Sequence, residues 1–155
     1  MPAPDGYSIR TLKDFVGHAF DLSAPIIVDQ ERINTFADVT GDHQWIHVDV
    51  ARAKAESPFG GPVAHGFLSL SLLAATIGSA GVVPCDAKGA INYGLENIRF
   101  IAPVPAGKRV AASFKLAQVE DKGPKGQVLR LAAALSVEGS DKPALVGDVL
   151  VLVLG

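Results

Sequence analysis

Apolar and polar positions alternate with a period of two across the C-terminal half of the chain. Gly89–Ala102, Arg109–Glu120, Gln127–Glu138 and Ala144–Leu154 read as four strands, each bounded by Gly, Pro, Asp or Lys clusters. The segments 121–126 (DKGPKG) and 139–143 carry turn residues, so consecutive strands should pair antiparallel as a meander. The N-terminal half has a different rhythm. Residues 1–8 are rich in Pro, Gly and Asp, and Thr11–Ala19 shows a short helical period at 12, 15, 16 and 19. Ala24–Val28 reads as a strand. Asp29 then stands where an N-cap belongs, ahead of Gln30–Val39, whose Ile33, Phe36 and Ala37 share one face. Gly41 ends that helix, and Asp49 caps a further short one, Val50–Ala55, which stops before Pro58.

Between these halves lies Phe59-Gly60-Gly61-Pro62, a breaker cluster, and then Val63–Ala80. Its non-apolar residues are few, mostly small, and spread all around a helix. The spacing predicts a helix from about Pro62, buried on nearly every side. An apolar helix followed by antiparallel strands implies an α+β architecture in which the sheet curls around the helix.

The chain has 155 residues, 48% of them hydrophobic and 19% charged, and is expected to form one domain over residues 1–155. The apolar surplus fits a large core or a face covered by a second copy. A net charge of −2 removes the basic surplus that nucleic-acid binding needs, so no nucleic-acid partner is expected. Cys85 is the only cysteine, which excludes an internal disulfide. MPAPDGYSIR lacks a cationic segment leading into an apolar run, and no stretch reaches the ~20 clean apolar residues of a membrane span. The expectation is a cytoplasmic protein with no membrane partner.

Candidate chemistry gathers in residues 36–78. Asp42 and His47, five apart, would diverge by about 140° on a regular helix and point to opposite faces of a strand. They can meet only on an irregular segment, which Gly41 permits; the same spacing also fits a solvated loop where they never meet. Asp42, His43, His47 and Asp49 are close in sequence, yet there is no cysteine nearby and no HExxH pattern, so no metal is expected. His65 is expected to cap or pack at the start of the long helix. Gly66, without a Cβ, leaves first-turn amides open to an incoming oxygen, and the helix dipole favours negative charge there. An ordinary helix start would look the same. No GxSxG elbow accompanies Ser69 or Ser71, and Cys85 has no histidine near it in sequence.

TGDHQWIHVD followed by FGGPVAHGFLSLSL resembles the paired signature of the MaoC-like (R)-specific enoyl-CoA hydratase family, closely over residues 30–80 and in outline beyond. The resemblance implies a single hot-dog fold, a sheet wrapped around a long central helix with short helices in an overhanging segment, and a homodimer. It also implies reversible addition of water to a trans-2-enoyl-CoA, or the carrier-protein thioester, giving the (3R)-3-hydroxyacyl thioester. Asp42 and His47 would then be the catalytic pair and the Gly66 amide the group that binds the thioester carbonyl, with no cofactor. At Gln44-Trp45 the chain departs from the Asn-Pro of many hydratases and is similar to the nodulation-protein-N-like branch. Gln44, Trp45 and His65 are therefore candidates for shaping the pocket. A hot-dog thioesterase is the enzymatic alternative, although its acid usually sits on the central helix and Val63–Ala80 has none. A protein that binds acyl-CoA without turnover is the other.

Overall fold

The computed structural model describes residues 3–155, and the strands fall close to where the alternation places them. Strand β1 is Ile26–Val28, β2 Gly89–Phe100, β3 Lys108–Asp121, β4 Gln127–Val137 and β5 Pro143–Leu154. All pairings are antiparallel, in the spatial order β1-β3-β4-β5-β2. The meander expectation holds for β3–β4–β5 and fails for β2, which pairs with β5 at the far edge rather than with β3. The reason lies in the link of residues 101–107. With Pro103 and Pro105 it makes no tight hairpin, and it instead pairs with the segment before the long helix, through an antiparallel bridge between Val63 and Pro105.

One face of the sheet carries Val110, Ala112, Phe114 and Leu116 from β3, Leu129, Leu131 and Leu135 from β4, and Leu145, Val149 and Val151 from β5, all buried. They pack with Leu68, Leu72, Leu73 and Ile77 of helix α4, Gly66–Ser79, into one core. Thr76, fully buried on α4, satisfies its hydroxyl by donating to the Leu73 carbonyl at 2.9 Å. The expectation of a helix buried all round is corrected here. Phe67 is 70% exposed, and Ser71, Ala74 and Gly78 are exposed too, so one face of α4 remains open. That face and strand β2 line an apolar groove containing Phe67, Leu70, Ala74, Tyr93 and Leu95.

Ahead of α4 come three short helices, α1 (Gln30–Thr40), α2 (Trp45–Val48) and α3 (Val50–Glu56). Helix α1 begins at Asp29, whose carboxylate accepts the Arg32 amide at 2.9 Å, a cap worth ~1 kcal/mol. It buries Ile33 and Ala37 and ends at Gly41, whose φ of 80° is left-handed. Asp49 caps α3 in the same way, accepting from the Arg52 amide. Leu12–Phe15 forms only a 3-10 turn where a longer helical period was expected. No helix among the described residues is long and apolar enough to cross a membrane.

Candidate active site

The site is built where the α1–α2 connection meets the start of α4. After Gly41 the chain makes a tight polar turn. The Asp42 amide donates to Thr40 Oγ1 at 3.4 Å, and the Asp42 carboxylate accepts the Gln44 amide at 3.3 Å. The single turn of α2 then carries His47 back toward Asp42. The irregularity needed to bring these two together is therefore supplied by a left-handed glycine and an Asx turn.

His47 is 7% exposed. Its Nδ1 lies 2.6 Å from the Val63 carbonyl; a carbonyl can only accept, so Nδ1 carries the proton and Nε2 keeps its lone pair. Burial holds the His47 imidazole below the ordinary histidine range, assisted by the neighbouring His65, while the Val63 bond and Asp42 oppose the shift. His47 is thus a neutral base at neutral pH.

His65 is 3% exposed and stacks on His47, with ring centroids 3.9 Å apart and planes at 27°. Its Nε2 donates to the Asp42 backbone carbonyl at 2.9 Å, and Phe36 packs against it at 5.0 Å. Asp42, His47 and His65 present polar atoms that all lie within 4.8 Å of one another. Two histidines and a carboxylate are ligand types for a divalent metal. One nitrogen on each ring is already committed to a backbone carbonyl, His47 Nδ1 to Val63 and His65 Nε2 to Asp42, which leaves one nitrogen per ring for other chemistry. The cluster also differs from the one weighed on sequence. His43 instead pairs with Asp38 at 2.8 Å on the surface, where that carboxylate raises its imidazole above the usual range, and Asp49 is engaged as a cap.

Helix α4 starts at Gly66, about four residues later than the start near Pro62 that the sequence suggests. Val63 and Ala64 are held extended, Val63 donating to the Ile46 carbonyl at 3.1 Å and Ala64 to the Val104 carbonyl at 2.8 Å. This extension puts the Val63 carbonyl in reach of His47. No side chain caps the start of α4, so the Gly66 amide has no intrahelical acceptor and sits at the positive end of the helix. His65 occupies the cap position by its backbone alone. A cavity of about 280 Å³ opens here, with His47, Gly66, Ser69, Phe59, Phe100 and Ile101 among its lining residues.

The structure therefore brings Asp42, His47 and His65 together and puts His47 and Gly66 on one cavity. Asp42, Gln44 and Trp45 are not among its lining residues. Gln44 is exposed and contributes backbone bonds to the turn, and Trp45 lies 4.3 Å beneath the Arg52 guanidinium, which pairs with Glu56. His65 does not line the cavity either and reaches it through the residues it touches. Phe100 escaped the sequence reading. A Cβ on Gly66 would stand 3.1–3.3 Å from its ring. Phe100 reaches the site because β2 bulges between Glu96 and Arg99, where Asn97 takes a φ of 54°. No residue-type signal marks such a strand end as part of a site.

Comparison with known proteins bears on the family and the fold. Residues 12–136 match the family described as MaoC like domain. The chain is 45% identical over 144 residues to 3-hydroxyacyl-thioester dehydratase Z of Mycobacterium tuberculosis strain H37Rv, covering 93% of this chain and 94% of that protein. It is 38% identical to nodulation protein N of Rhizobium leguminosarum bv. viciae, over 94% of this chain and 91% of the relative. Among solved structures, the (R)-hydratase from A. caviae involved in PHA biosynthesis superposes with a TM-score of 0.72 at 24% identity, covering 90% of this chain and 96% of that one. A monoamine oxidase regulatory protein from Archaeoglobus fulgius gives a TM-score of 0.79 at 24% identity, over 100% and 99% of the two chains. With its curled antiparallel sheet around α4 and its match along most of its length, this chain belongs to the MaoC-like dehydratase family and has the hot-dog fold.

Proposed function

We propose that this chain adds water reversibly to a trans-2-enoyl thioester, giving the (3R)-3-hydroxyacyl thioester. The observation that carries the reading is the Asp42–His47 pair, within 4.8 Å of one another, with His47 on the same cavity as Gly66 at the uncapped start of α4. Hydration needs a base for water, a proton for C2, and a donor for the thioester oxygen as charge builds on it. Asp42 and the neutral His47 hold one water between them and take its proton as its oxygen bonds to C3. The electron pair of the double bond moves onto C2 and the thioester oxygen, where the Gly66 amide meets it. The proton returns to C2 from the same coupled pair, and dehydration is the reverse. At about 280 Å³ the cavity suits the reactive end of a thioester rather than a whole acyl-CoA.

Support also comes from what the site lacks on α4. The helix has no acidic side chain to serve a thioesterase. The test is crotonyl-CoA, with the conjugated-thioester absorbance and free thiol followed together. Loss of the band without thiol supports hydration, thiol release indicates a thioesterase, and binding without either indicates a carrier. Asp42→Asn and His47→Ala should each slow turnover by at least ~10²-fold with the fold retained. A near wild-type rate in either variant would remove that residue from the mechanism. Repeating the assay with the pantetheine-arm thioester of an acyl carrier protein separates the two substrate forms.

The homodimer is part of the same reading. The open face of α4 and the exposed Tyr93 and Leu95 of edge strand β2 form one apolar surface that a second copy would cover. Light scattering that gives a monomer at micromolar concentration would exclude it.

A further inference from the structure

A buried histidine that lines no cavity still touches every part of this site. His65 donates from Nε2 to the Asp42 backbone carbonyl, 23 residues away in the chain. One face of its ring stacks on His47 and its neighbour Phe36 comes from α1. Its own backbone is the residue before Gly66, at the start of α4. Four pieces therefore share one imidazole: α1, the Asp42 turn, the α2 turn and the long helix.

We propose that His65 is the positioning residue of the site, the tie that sets the Asp42–His47 spacing while touching neither water nor thioester. The inference rests on the hydratase reading for its kinetic consequence and on the geometry alone for its structural one. The Asp42 turn has little else to hold it. Its remaining bonds are all short-range, reaching no further than residues 36–47, and Asp42 is exposed. The His65 bond is the long-range one, and it runs to the backbone, so it fixes where the Asp42 carboxylate starts from without competing for its oxygens. The bond also sets the tautomer: with the proton on Nε2, Nδ1 is left buried and without a partner. An orphaned buried nitrogen costs stability, and the Nε2–H bond and the ring contacts are what this side chain sets against that cost. Asparagine lacks the ring and phenylalanine lacks the donor.

Two variants separate those roles. His65→Phe keeps the ring against His47 and Phe36 and removes the donor. His65→Gln restores an N–H to the Asp42 carbonyl without the ring. Both are first compared with wild type by thermal melting. Hydrogen exchange of the peptide spanning 41–47 is then read by mass spectrometry, which needs no turnover. We expect exchange in this turn at least ~10-fold faster in His65→Phe and near wild type in His65→Gln. With crotonyl-CoA, kcat should fall ~10- to 100-fold in His65→Phe with KM within about threefold, the order expected when a reacting group moves by ~1 Å, and recover substantially in His65→Gln. Unchanged exchange in His65→Phe would overturn the tie. So would equal loss in both variants, because an N–H restored to the Asp42 carbonyl would then rescue nothing. If wild type fails to hydrate crotonyl-CoA, the functional reading fails and the exchange experiment still decides the tie. Should His65→Phe not fold, equal exchange in His65→Gln and wild type supports the tie and faster exchange in His65→Gln refutes it.

Discussion

Replacing Gly66 by alanine tests the placement of the thioester oxygen without unfolding the protein. The new methyl would stand 3.1, 3.2 and 3.3 Å from three carbons of the Phe100 ring. Those contacts are tight, but the ring is 51% exposed and can give way by a few tenths of an ångström. Gly66 has no left-handed backbone to strain, and alanine is favoured over glycine in a helix by up to ~1 kcal/mol. The two effects oppose one another, so stability should change by less than about 1 kcal/mol. Activity should respond differently. The methyl projects beside the first free amide of α4 into the cavity that His47 shares. A carbonyl pushed ~1 Å off its donor costs on the order of 10²-fold. Steady-state hydration of crotonyl-CoA should therefore show kcat/KM down ~10²-fold, while the melting temperature stays within a few degrees. A variant with kcat/KM within threefold of wild type would show that the ligand does not approach over Gly66. A collapse in melting temperature would refute the contact reasoning.

Other outcomes follow from the same structure. Gly147→Ala would put a Cβ 2.4 Å from Ile98 Cδ1 and 3.0 Å from Ile98 Cα; backbone cannot yield as Phe100 can, so the cost should be ~1–3 kcal/mol, and an unchanged thermal melt would contradict it. His47 is held below its unfolded value by burial, so the unfolded chain binds the extra proton first as pH falls. Its contribution to stability is full above about pH 6.5 and is lost as pH drops toward the depressed folded value. The fall in melting temperature between pH 7 and 5 should accordingly be shallower in His47→Gln, and an identical fall would refute the assignment. Tyr7 donates to the Val82 carbonyl at 2.8 Å, and burial pushes its phenol well above the usual tyrosine range. Tyr7→Phe should cost ~1–3 kcal/mol in chemical denaturation and leave the native tyrosinate absorbance titration unchanged in amplitude.

The parts legible in the sequence were those decided by local periodicity and caps. Alternation located β2 to β5, and Asp29 with Gly41 bounded α1 to within a residue. The convergence of Asp42 and His47 required an irregular turn, which Gly41 announced. What stayed hidden depends on contacts far apart in the chain. Nothing in residues 101–107 says that they pair with 62–64, and that pairing both sends β2 to the far edge and delays α4 to Gly66. His47 finds a backbone carbonyl, at Val63, and a carbonyl leaves no mark on residue type. Gln44 and Trp45 attracted notice because they depart from a familiar pattern, yet the turn uses the backbone of Gln44 and the surface uses the ring of Trp45.

The bulge in β2 has a consequence for how the molecule grows and how it feeds. A strand added along the free edge would find regular backbone only before Asn97, interrupted once near Tyr93. Beyond that point the edge turns, and Phe100 leans over the helix start. On the proposed function, assembly and substrate passage would fall to separate lengths of one strand. A neighbouring chain could seat itself on the first length and leave the doorway at the second unobstructed.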